Sequence, residues 1–183
     1  TLLAEQFPQF RWQVDFLHRH RYAAGGILDP LPPIEFGIQE KTVHRWDYAL
    51  VIVSNELLAR ERVHTIGIPS SALETAVLST ASLSGETNTS EFQHQMIMLA
   101  LHLLGHIWGV EHSKSGPMKP LEMVEDIDHQ PLFSPAQQEQ IIDRLEEVAD
   151  QRLEEQSKNW TLSRFYWRAF WEDPKSILLD VIG

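Results

Sequence analysis

One stretch of eleven residues constrains the fold of this chain more than any other part of the sequence. It reads His102-Leu103-Leu104-Gly105-His106-Ile107-Trp108-Gly109-Val110-Glu111-His112. Histidines four residues apart lie on one face of a helix, about one turn from each other, so both imidazoles can bind the same metal ion. A glycine three residues later can end the helix, because glycine tolerates the left-handed conformation common at helix C-termini. The chain can then turn back and bring His112 to the ion.

Three neutral imidazoles and one open position form the ligand set of a catalytic zinc site. We therefore expect one zinc ion bound by His102, His106 and His112. The sequence around the first two is apolar from residue 96 onward, on every side of the expected helix, which indicates a buried helix. The alternative is that these are two core histidines hydrogen-bonded to the backbone. A metal ion is favoured, because two imidazoles on one apolar helix need polar partners.

The spacing H-x-x-x-H-x-x-G-x-x-H resembles the signature of the metzincin metallopeptidases, which is H-E-x-x-H-x-x-G-x-x-H followed by a methionine turn. All three histidines and Gly109 match the signature, but Leu103 stands where the family has glutamate. The resemblance implies that this position carries the general base, which takes a proton from the water that zinc activates. Leucine has no atom that accepts a proton, so Leu103 cannot serve as that base.

The segment after the third histidine contains Gly116-Pro117-Met118-Lys119-Pro120. Gly-Pro predicts a turn, and the resemblance makes Met118 the methionine-turn residue, which packs beneath the zinc site in this family. The ending Met-x-Pro is most similar to the matrixin branch, and Met123 is a weaker candidate. The alternative is a methionine that fills a gap in the core. The related archaemetzincins carry an added cysteine-rich zinc site, which this chain cannot form because it has no cysteine.

The sequence shows no evident replacement for the missing base. Glu111 is a weak substitute candidate, since polar residues often precede the third histidine in such motifs. Four carboxylates after the turn could fold back toward the ion, but nothing in the sequence places them there: Glu122, Glu125, Asp126 and Asp128. The remaining histidines are expected at the surface or in the core: His18, His20, His44, His64, His94 and His129.

Three functions remain open on these residues. The first is a peptidase of the metzincin type that works at a low rate or with an unorthodox base. The second is a pseudoprotease, whose zinc site binds a peptide or partner without cutting it. The third is a zinc site kept only for stability. The absent base favours the second, so we expect a metzincin-like zinc metalloprotease domain that is catalytically impaired, or a peptide-binding module.

The resemblance and the pattern together imply an α/β fold, with a twisted mixed β-sheet, a long first helix, a buried active-site helix and C-terminal helices. Alternation predicts a strand at 10–16, and Gly and Pro residues predict a loop at 25–33. A first helix is expected at 34–46 and further strands at 48–53, 65–69 and 76–83, with the last at the sheet edge. Ser90 and Gln93 suggest a capping box at the start of the active-site helix.

The domain division we expect is a zinc-binding core at 1–133 and a helical part at 134–183. The helical part contains an amphipathic helix at 135–156, which begins with the capping sequence Ser134-Pro135-Ala136-Gln137 and has an acidic face. An aromatic-rich tail follows at 159–183. Trp160, Trp167 and Trp171 fall on one helical face, which fits either a docked helix or contact with a membrane surface or a protein partner.

Charge and cysteine content exclude several other classes of protein. The net charge of −11 argues against a nucleic-acid partner, which requires a basic surface. The absence of cysteine excludes disulfide scaffolds and thiol catalysis. No signal or membrane-spanning segment is evident in the chain, which together with the lack of cysteine favours a cytoplasmic location. The expected partner is a peptide or protein, as substrate or as ligand.

Overall fold

A computed structural model describes residues 2–19, 25–58, 63–83, 89–121 and 126–172, with the side chains of 63–64 and 155–172 excepted. The chain divides into two compact units, Thr1–Arg144 and Leu145–Gly183. Four helices and six strands are described: α1 (Leu2–Gln6), β1 (Ile27–Leu28), α2 (Leu31–His44), β2 (Ala49–Val53), β3 (Glu56–Leu58), β4 (Val63–Thr65), β5 (Gly67–Ser70), β6 (Thr75–Ser79), α3 (Ser90–Ile107) and α4 (Pro135–Glu172).

The strands form two small mixed sheets. One has the order β2-β6-β5, with β2 parallel and β5 antiparallel to β6. The other has the order β1-β3-β4, with β1 parallel and β4 antiparallel to β3. The predicted mixed α/β architecture is therefore confirmed, although the strands are divided between two sheets rather than gathered in one. Helix α3 packs against β5 and β6, and α2 packs against β2 and β6.

Strand β6 lies at the centre of its sheet, so its predicted position at the sheet edge is wrong. All five of its residues are buried. The prediction rested on small polar residues, but Thr75 Oγ1 donates to Leu73 O at 2.9 Å and Ser79 Oγ donates to Asn55 O at 2.6 Å. Backbone carbonyls thus accept the hydroxyl hydrogens, and hydrogen-bonded hydroxyls can be buried at little cost.

The strand predicted at 10–16 is absent. Val14 is 57% exposed and Phe16 is 87% exposed, so the alternating pattern does not mark a half-buried sheet face. Near the start of this segment, the Trp12 ring lies 6.2 Å from the Phe7 ring, and Trp12 Nε1 donates to Phe7 O at 3.2 Å. The start of this segment is therefore held by contacts between Trp12 and the buried Phe7.

The first helix begins earlier than predicted, inside the expected loop. Pro32 and Pro33 lie in its first turn, where proline is tolerated because those backbone positions have no acceptor within the helix. Asp29 Oδ1 accepts from Leu31 N at 2.9 Å just before the helix begins. The helix ends at His44, because Arg45 takes a left-handed conformation with φ 57°.

The remaining predicted elements occur with altered bounds. Strand β2 corresponds to the prediction at 48–53, while the strand predicted at 65–69 is divided between β4 and β5. Helix α3 is capped by Thr89 rather than Ser90, since Thr89 Oγ1 accepts from Phe92 N at 3.3 Å. The predicted capping box therefore does not form at Ser90.

Helix α4 begins as predicted and continues further. Ser134 N donates to Gln137 Oε1 at 3.0 Å, and Gln137 N donates to Ser134 Oγ at 3.4 Å, which is the reciprocal arrangement of a capping box. The helix extends to Glu172 rather than 156. The predicted acidic face is exposed over the part with described side chains: Glu139, Asp143, Glu146, Glu147, Asp150 and Glu154.

The second unit, taken by itself, is helical from Leu145 through Glu172. The side chains of Trp160, Trp167 and Trp171 lie outside the described residues, so the surface predicted for them stays a prediction. The same holds for the division of the chain at 133 and 134. No helix in the part of the chain that the structure describes is long and apolar enough to cross a membrane.

Candidate metal centre

Three imidazole rings converge at the C-terminal end of α3. His106 Nε2 lies 3.1 Å from His102 Nε2 and 3.0 Å from His112 Nε2. One ligand atom from each ring lies within 4.8 Å of the others. Zinc binds imidazole nitrogen at about 2.0–2.1 Å, which places two nitrogens on one tetrahedral ion roughly 3.3 Å apart. The ring positions therefore fit a single shared ion.

The end of α3 brings the third histidine to the other two. Trp108 N and Val110 N donate back to the carbonyls of Leu104 and Gly105 at 2.9 Å each. Gly109 has φ +81°, a conformation that side-chain-bearing residues rarely adopt. The chain reverses direction at this point, so the residues after Gly109 run back toward the face of the helix that carries the histidines.

A backbone carbonyl orients the most buried of the three rings. His102 Nδ1 lies 2.7 Å from Pro117 O, and a carbonyl can only accept, so Nδ1 carries the proton. The lone pair of Nε2 is then directed at the other two rings, as in metal sites where the second ring nitrogen donates to a carbonyl. His102 is buried, His106 is half-buried and His112 is exposed, so the group opens to solvent on the His112 side.

Met118 is fully buried and lies against the metal-bearing helix at Gly105. A Cβ atom on Gly105 would collide with Met118 Sδ, so glycine is what allows this approach. Ser113 N donates to Met118 O at 2.8 Å and closes the turn. Met118 therefore packs against the helix one residue from His106, and its role as the methionine-turn residue stays a prediction.

The loop carrying Pro117 is held by an aspartate that sequence reasoning left unplaced. Asp128 Oδ2 accepts from Gly116 N at 2.9 Å, and Asp128 Oδ1 accepts from Gln130 N at 3.2 Å. These backbone hydrogen bonds lower the pKa of the Asp128 carboxyl. Asp128 therefore anchors the turn that orients His102, and its carboxylate is engaged there rather than at the rings. The sequence does not reveal these hydrogen bonds, because their donors are backbone N–H groups, which nearly every residue type has.

The surroundings of two of the imidazoles, His102 and His106, favour the neutral form. Burial lowers the pKa of His102, partly opposed by the hydrogen bond to Pro117. Burial, together with the neighbouring rings of His102 and His112, lowers the pKa of His106 to about 4. Metal ions bind the neutral form of imidazole, so His102 and His106 are available as ligands at neutral pH.

Leu103 is 2% exposed and packs on the sheet. A Cβ atom on Gly67 of β5 would lie 2.8 Å from Leu103 Cδ1, so the leucine side chain rests directly on the glycine backbone. The two methyl groups of Leu103 therefore lie in contact with strand β5. Gly67 is a residue that the sequence did not single out.

Among the residues that the structure describes, the metal-binding group contains no carboxylate. Glu111 is exposed and is not a member of the group, and Asp126 is not a member either. Glu122 and Glu125 lie outside the described residues. His94 and His129 stack on each other at 5.4 Å and are not members of the group.

No protein-family model matches the chain, and no curated protein matches it. Among solved structures, a zinc-dependent peptidase from Methanocorpusculum labreanum matches with 14% identity and a TM-score of 0.52, over 61% of this chain and 70% of its own. Two archaemetzincins also match. The Archaeoglobus fulgidus protein, solved with malonate, has 21% identity and a TM-score of 0.47, over 51% of this chain. The Methanopyrus kandleri protein has 15% identity and a TM-score of 0.48, over 72% of this chain and 99% of its own.

This chain spans 60% of the Archaeoglobus fulgidus protein. The match to the Methanocorpusculum labreanum structure shows a shared fold and, at this identity, the fold alone. The structural match and the three-histidine group are separate observations: the first compares the backbone with that of a known zinc-dependent peptidase, and the second describes side chains of this chain. The chain therefore has the fold of a zinc-dependent peptidase, and His102, His106 and His112 form a group able to hold one zinc ion.

Proposed function

We propose that this chain is a metzincin-like zinc-binding domain that holds peptides and is catalytically impaired. The observation that carries the proposal is the environment of Leu103. It follows His102 directly in the helix, it is buried against Gly67, and it offers only methyl groups where a base would be needed. Among the described residues, the group able to hold zinc therefore has no carboxylate member that could accept a proton.

A bound zinc ion supplies Lewis-acid polarisation of a carbonyl group. The three histidines would hold the ion, and Pro117 O would keep the His102 ring in the required tautomer. None of the described carboxylates belongs to the group, so the described part of the site offers no carboxylate as a general base. General acid–base assistance contributes about 10²- to 10⁴-fold in rate, and this is the contribution expected to be missing.

Strand β5 offers an edge on which an extended peptide can bind. Ser79 N donates to Ile66 O at 2.8 Å, so this opposed pair is hydrogen-bonded. Hydrogen-bonded and non-bonded pairs alternate along antiparallel strands. Gly67 and Pro69 therefore direct their backbone polar groups away from β6. As described, β5 pairs with β6 alone, and strand addition at such an edge is a common mode of peptide recognition.

Proline restricts the register that a peptide can take on this edge. Pro69 has no N–H, so it can only accept a hydrogen bond, whereas Gly67 can both donate and accept. A peptide would therefore form its reciprocal pair of hydrogen bonds at Gly67. That residue also touches Leu103, the neighbour of His102 in the helix. The best-bound part of the peptide would thus lie beside the metal-binding group.

The alternative function is a peptidase of low rate. One set of variants distinguishes this peptidase from the impaired peptide-binding domain. Zinc content and cleavage of a peptide library are measured for the natural protein, Leu103→Glu, Leu103→Gln and His106→Ala. We expect about one zinc per chain in the natural protein, with the ion lost in His106→Ala. We also expect no cleavage by the natural protein beyond that of Leu103→Gln, and a gain of cleavage in Leu103→Glu.

Leu103→Gln is the matched control, because glutamine has the shape of glutamate but does not accept a proton at neutral pH. Efficient cleavage by the natural protein, abolished in His106→Ala, would overturn the impaired-domain proposal in favour of the peptidase. Failure to bind zinc would remove both functions and leave the histidines as a structural group.

A further inference from the structure

Trp108 lies where the metal-bearing helix gives way to the connection that leads to the third histidine. Helix α3 ends at the residue before it, and Gly109, with φ +81°, follows it. Trp108 and Val110 are each 2% exposed, whereas His112 is exposed. The position of this exposed ligand therefore depends on the backbone that leads to it. The contacts that fix Trp108 also fix the point from which the chain returns toward the metal-binding group.

Four of the described aromatic rings lie around Trp108, and they come from distant parts of the chain. Their centroids lie 6.1–6.2 Å from that of the Trp108 ring, in tilted or edge-on arrangements. Aromatic pairs favour such arrangements at these distances. We call these four residues the aromatic clamp: Phe7, Trp12, Tyr48 and Phe133. A side chain in contact with four rings cannot move without disturbing them.

The N-terminal part of the clamp is tied to the chain beyond the metal-binding group. Gln6 Oε1 accepts from Phe133 N at 2.8 Å, and Gln6 Nε2 donates to Pro131 O at 3.0 Å. Phe7 is completely buried, and Trp12 Nε1 donates to Phe7 O at 3.2 Å. Two segments more than a hundred residues apart therefore hold each other in place around the indole ring.

Tyr48 contributes a polar group to the clamp as well as a ring. Tyr48 Oη and Trp108 Nε1 are both buried, and neither forms a hydrogen bond within the described part of the chain. Burial raises the pKa of the Tyr48 hydroxyl, and the Trp108 N–H opposes that rise, so the two polar groups lie close together. An indole N–H can only donate, whereas a hydroxyl oxygen can accept. The pair therefore favours one orientation of the indole ring, with its N–H directed at Tyr48.

We propose that Trp108, held by the aromatic clamp, is the positioning residue for the third metal ligand, His112. This inference rests on the proposed zinc-binding function. His102 and His106 share one helix, whereas His112 reaches the group through the connection that begins at Trp108. A connection that is ordered before the ion binds loses little conformational freedom on binding, which raises the affinity. The clamp acts in this way although none of its residues belongs to the metal-binding group.

The test is a double-mutant cycle between Trp108 and His112. Zinc affinity is measured by competition with a chromophoric chelator for the natural protein, Trp108→Leu, His112→Ala and the double variant. Copper(II) is the second probe, because it binds imidazole more tightly than zinc and keeps a two-histidine group measurable. We expect Trp108→Leu to weaken binding of either ion by at least about tenfold in the natural protein. In the His112→Ala background it should have no further effect.

The absorption spectrum of bound cobalt(II) supplies a readout of site geometry that is separate from the stability of the fold. Metal geometry depends on the number and arrangement of the ligands, so the spectrum of Trp108→Leu should approach that of His112→Ala. Trp46→Leu is the matched control. Trp46 stacks on His44 and donates to Asp15 Oδ2, outside the clamp. Its loss should leave both the affinity and the spectrum unchanged.

The outcomes separate this inference from the proposed function. If Trp108→Leu does not fold, Tyr48→Leu replaces it in the cycle, because that variant removes both the ring and the hydroxyl beside the indole. An equal loss of affinity in both backgrounds would overturn the inference, since the effect would not act through His112. Unchanged affinity in the natural protein would also overturn it and leave zinc binding intact. A natural protein that binds no zinc would overturn both.

Discussion

At the scale of single residues, the contact between Leu103 and Gly67 joins the helix that carries two of the histidines to the sheet. The leucine occupies the position of the expected base and reaches the sheet only because Gly67 has no side chain. The same contact joins α3 to β5, the strand on which we propose that a peptide binds. This one pair of residues thus brings β5 into contact with the residue that follows His102 in the helix.

Gly67→Ala should destabilise the protein by about 1–3 kcal/mol, the usual range for overpacking a core. The added Cβ would lie 2.8 Å from Leu103 Cδ1 and 3.2 Å from Cγ, so Leu103 must shift within a buried site. Urea denaturation measures the free energy of unfolding. The same substitution made in Leu103→Ala should cost less, because the colliding atoms are gone. An equal cost in both backgrounds would show that the contact is not responsible.

Tyr48 should ionise at unusually high pH. Burial, together with the nearby carboxylates of Glu74 and Asp47, raises the pKa of its hydroxyl to about 12. Because the folded pKa lies above the unfolded value of about 10, the stability linked to the neutral hydroxyl is complete below pH 10. It is lost as the pH rises from there toward 12.

Ultraviolet absorbance of tyrosinate during an alkaline titration checks this, since the chain has three tyrosines. The step at the highest pH should be missing in Tyr48→Phe. A Tyr48→Phe titration that keeps this step would contradict the assignment.

At the scale of elements, helix ends show how adjacent residues with similar propensities differ in role. Ser90 and Thr89 both suit an N-cap. The sequence favours Ser90, because Gln93 three residues later could complete a capping box. In the structure Thr89 has extended backbone angles and accepts the hydrogen bond from Phe92 N, while Ser90 is the first helical residue. By contrast, Ser134 and Gln137 form the box that their spacing predicts.

Thr89→Ala should lower the free energy of unfolding by about 0.5–2 kcal/mol, since it removes the acceptor for a helix-terminal N–H. Ser90→Ala is the matched control and should change stability by no more than about 0.5 kcal/mol, as expected for an exposed position without a special role. Thermal or urea unfolding of the two variants provides the measurement. A larger loss of stability in Ser90→Ala than in Thr89→Ala would mean that Ser90 is the N-cap, as the sequence predicts.

The strands show where propensity alone misleads. Residues 10–16 have the alternation of a strand but no partner strand, whereas β6 has the polar residues of an edge strand yet lies between β2 and β5. Sheet position depends on which strands pair across long distances in the chain, and a local pattern does not contain that information.

At the scale of the whole first unit, zinc should stabilise the fold, because the three ligands come from a helix and from the chain beyond its end. A ligand that binds only the folded state stabilises it by about 2.7 kcal/mol when its free concentration is 100 times the dissociation constant. The melting temperature should therefore rise with added zinc and fall after chelation. Calorimetry on the natural protein and on His112→Ala makes the comparison.

His112→Ala suits this purpose, because His112 is exposed and its loss leaves the helix packing intact. Its melting temperature should respond weakly to zinc. An equally strong response in this variant would place the stabilising zinc outside the three-histidine group.

The sequence by itself determined the members of the metal-binding group, the end of the helix that carries two of them, and the mixed α/β class. These follow from helical periodicity and from the backbone freedom of Gly109, both of which act over a few residues. Only the tertiary structure decided that Leu103 rests on Gly67, that Pro117 O orients His102, that Asp128 holds that turn, and that β6 is central. Each of these joins residues far apart in the chain through backbone atoms or packing, for which a local pattern has no signal.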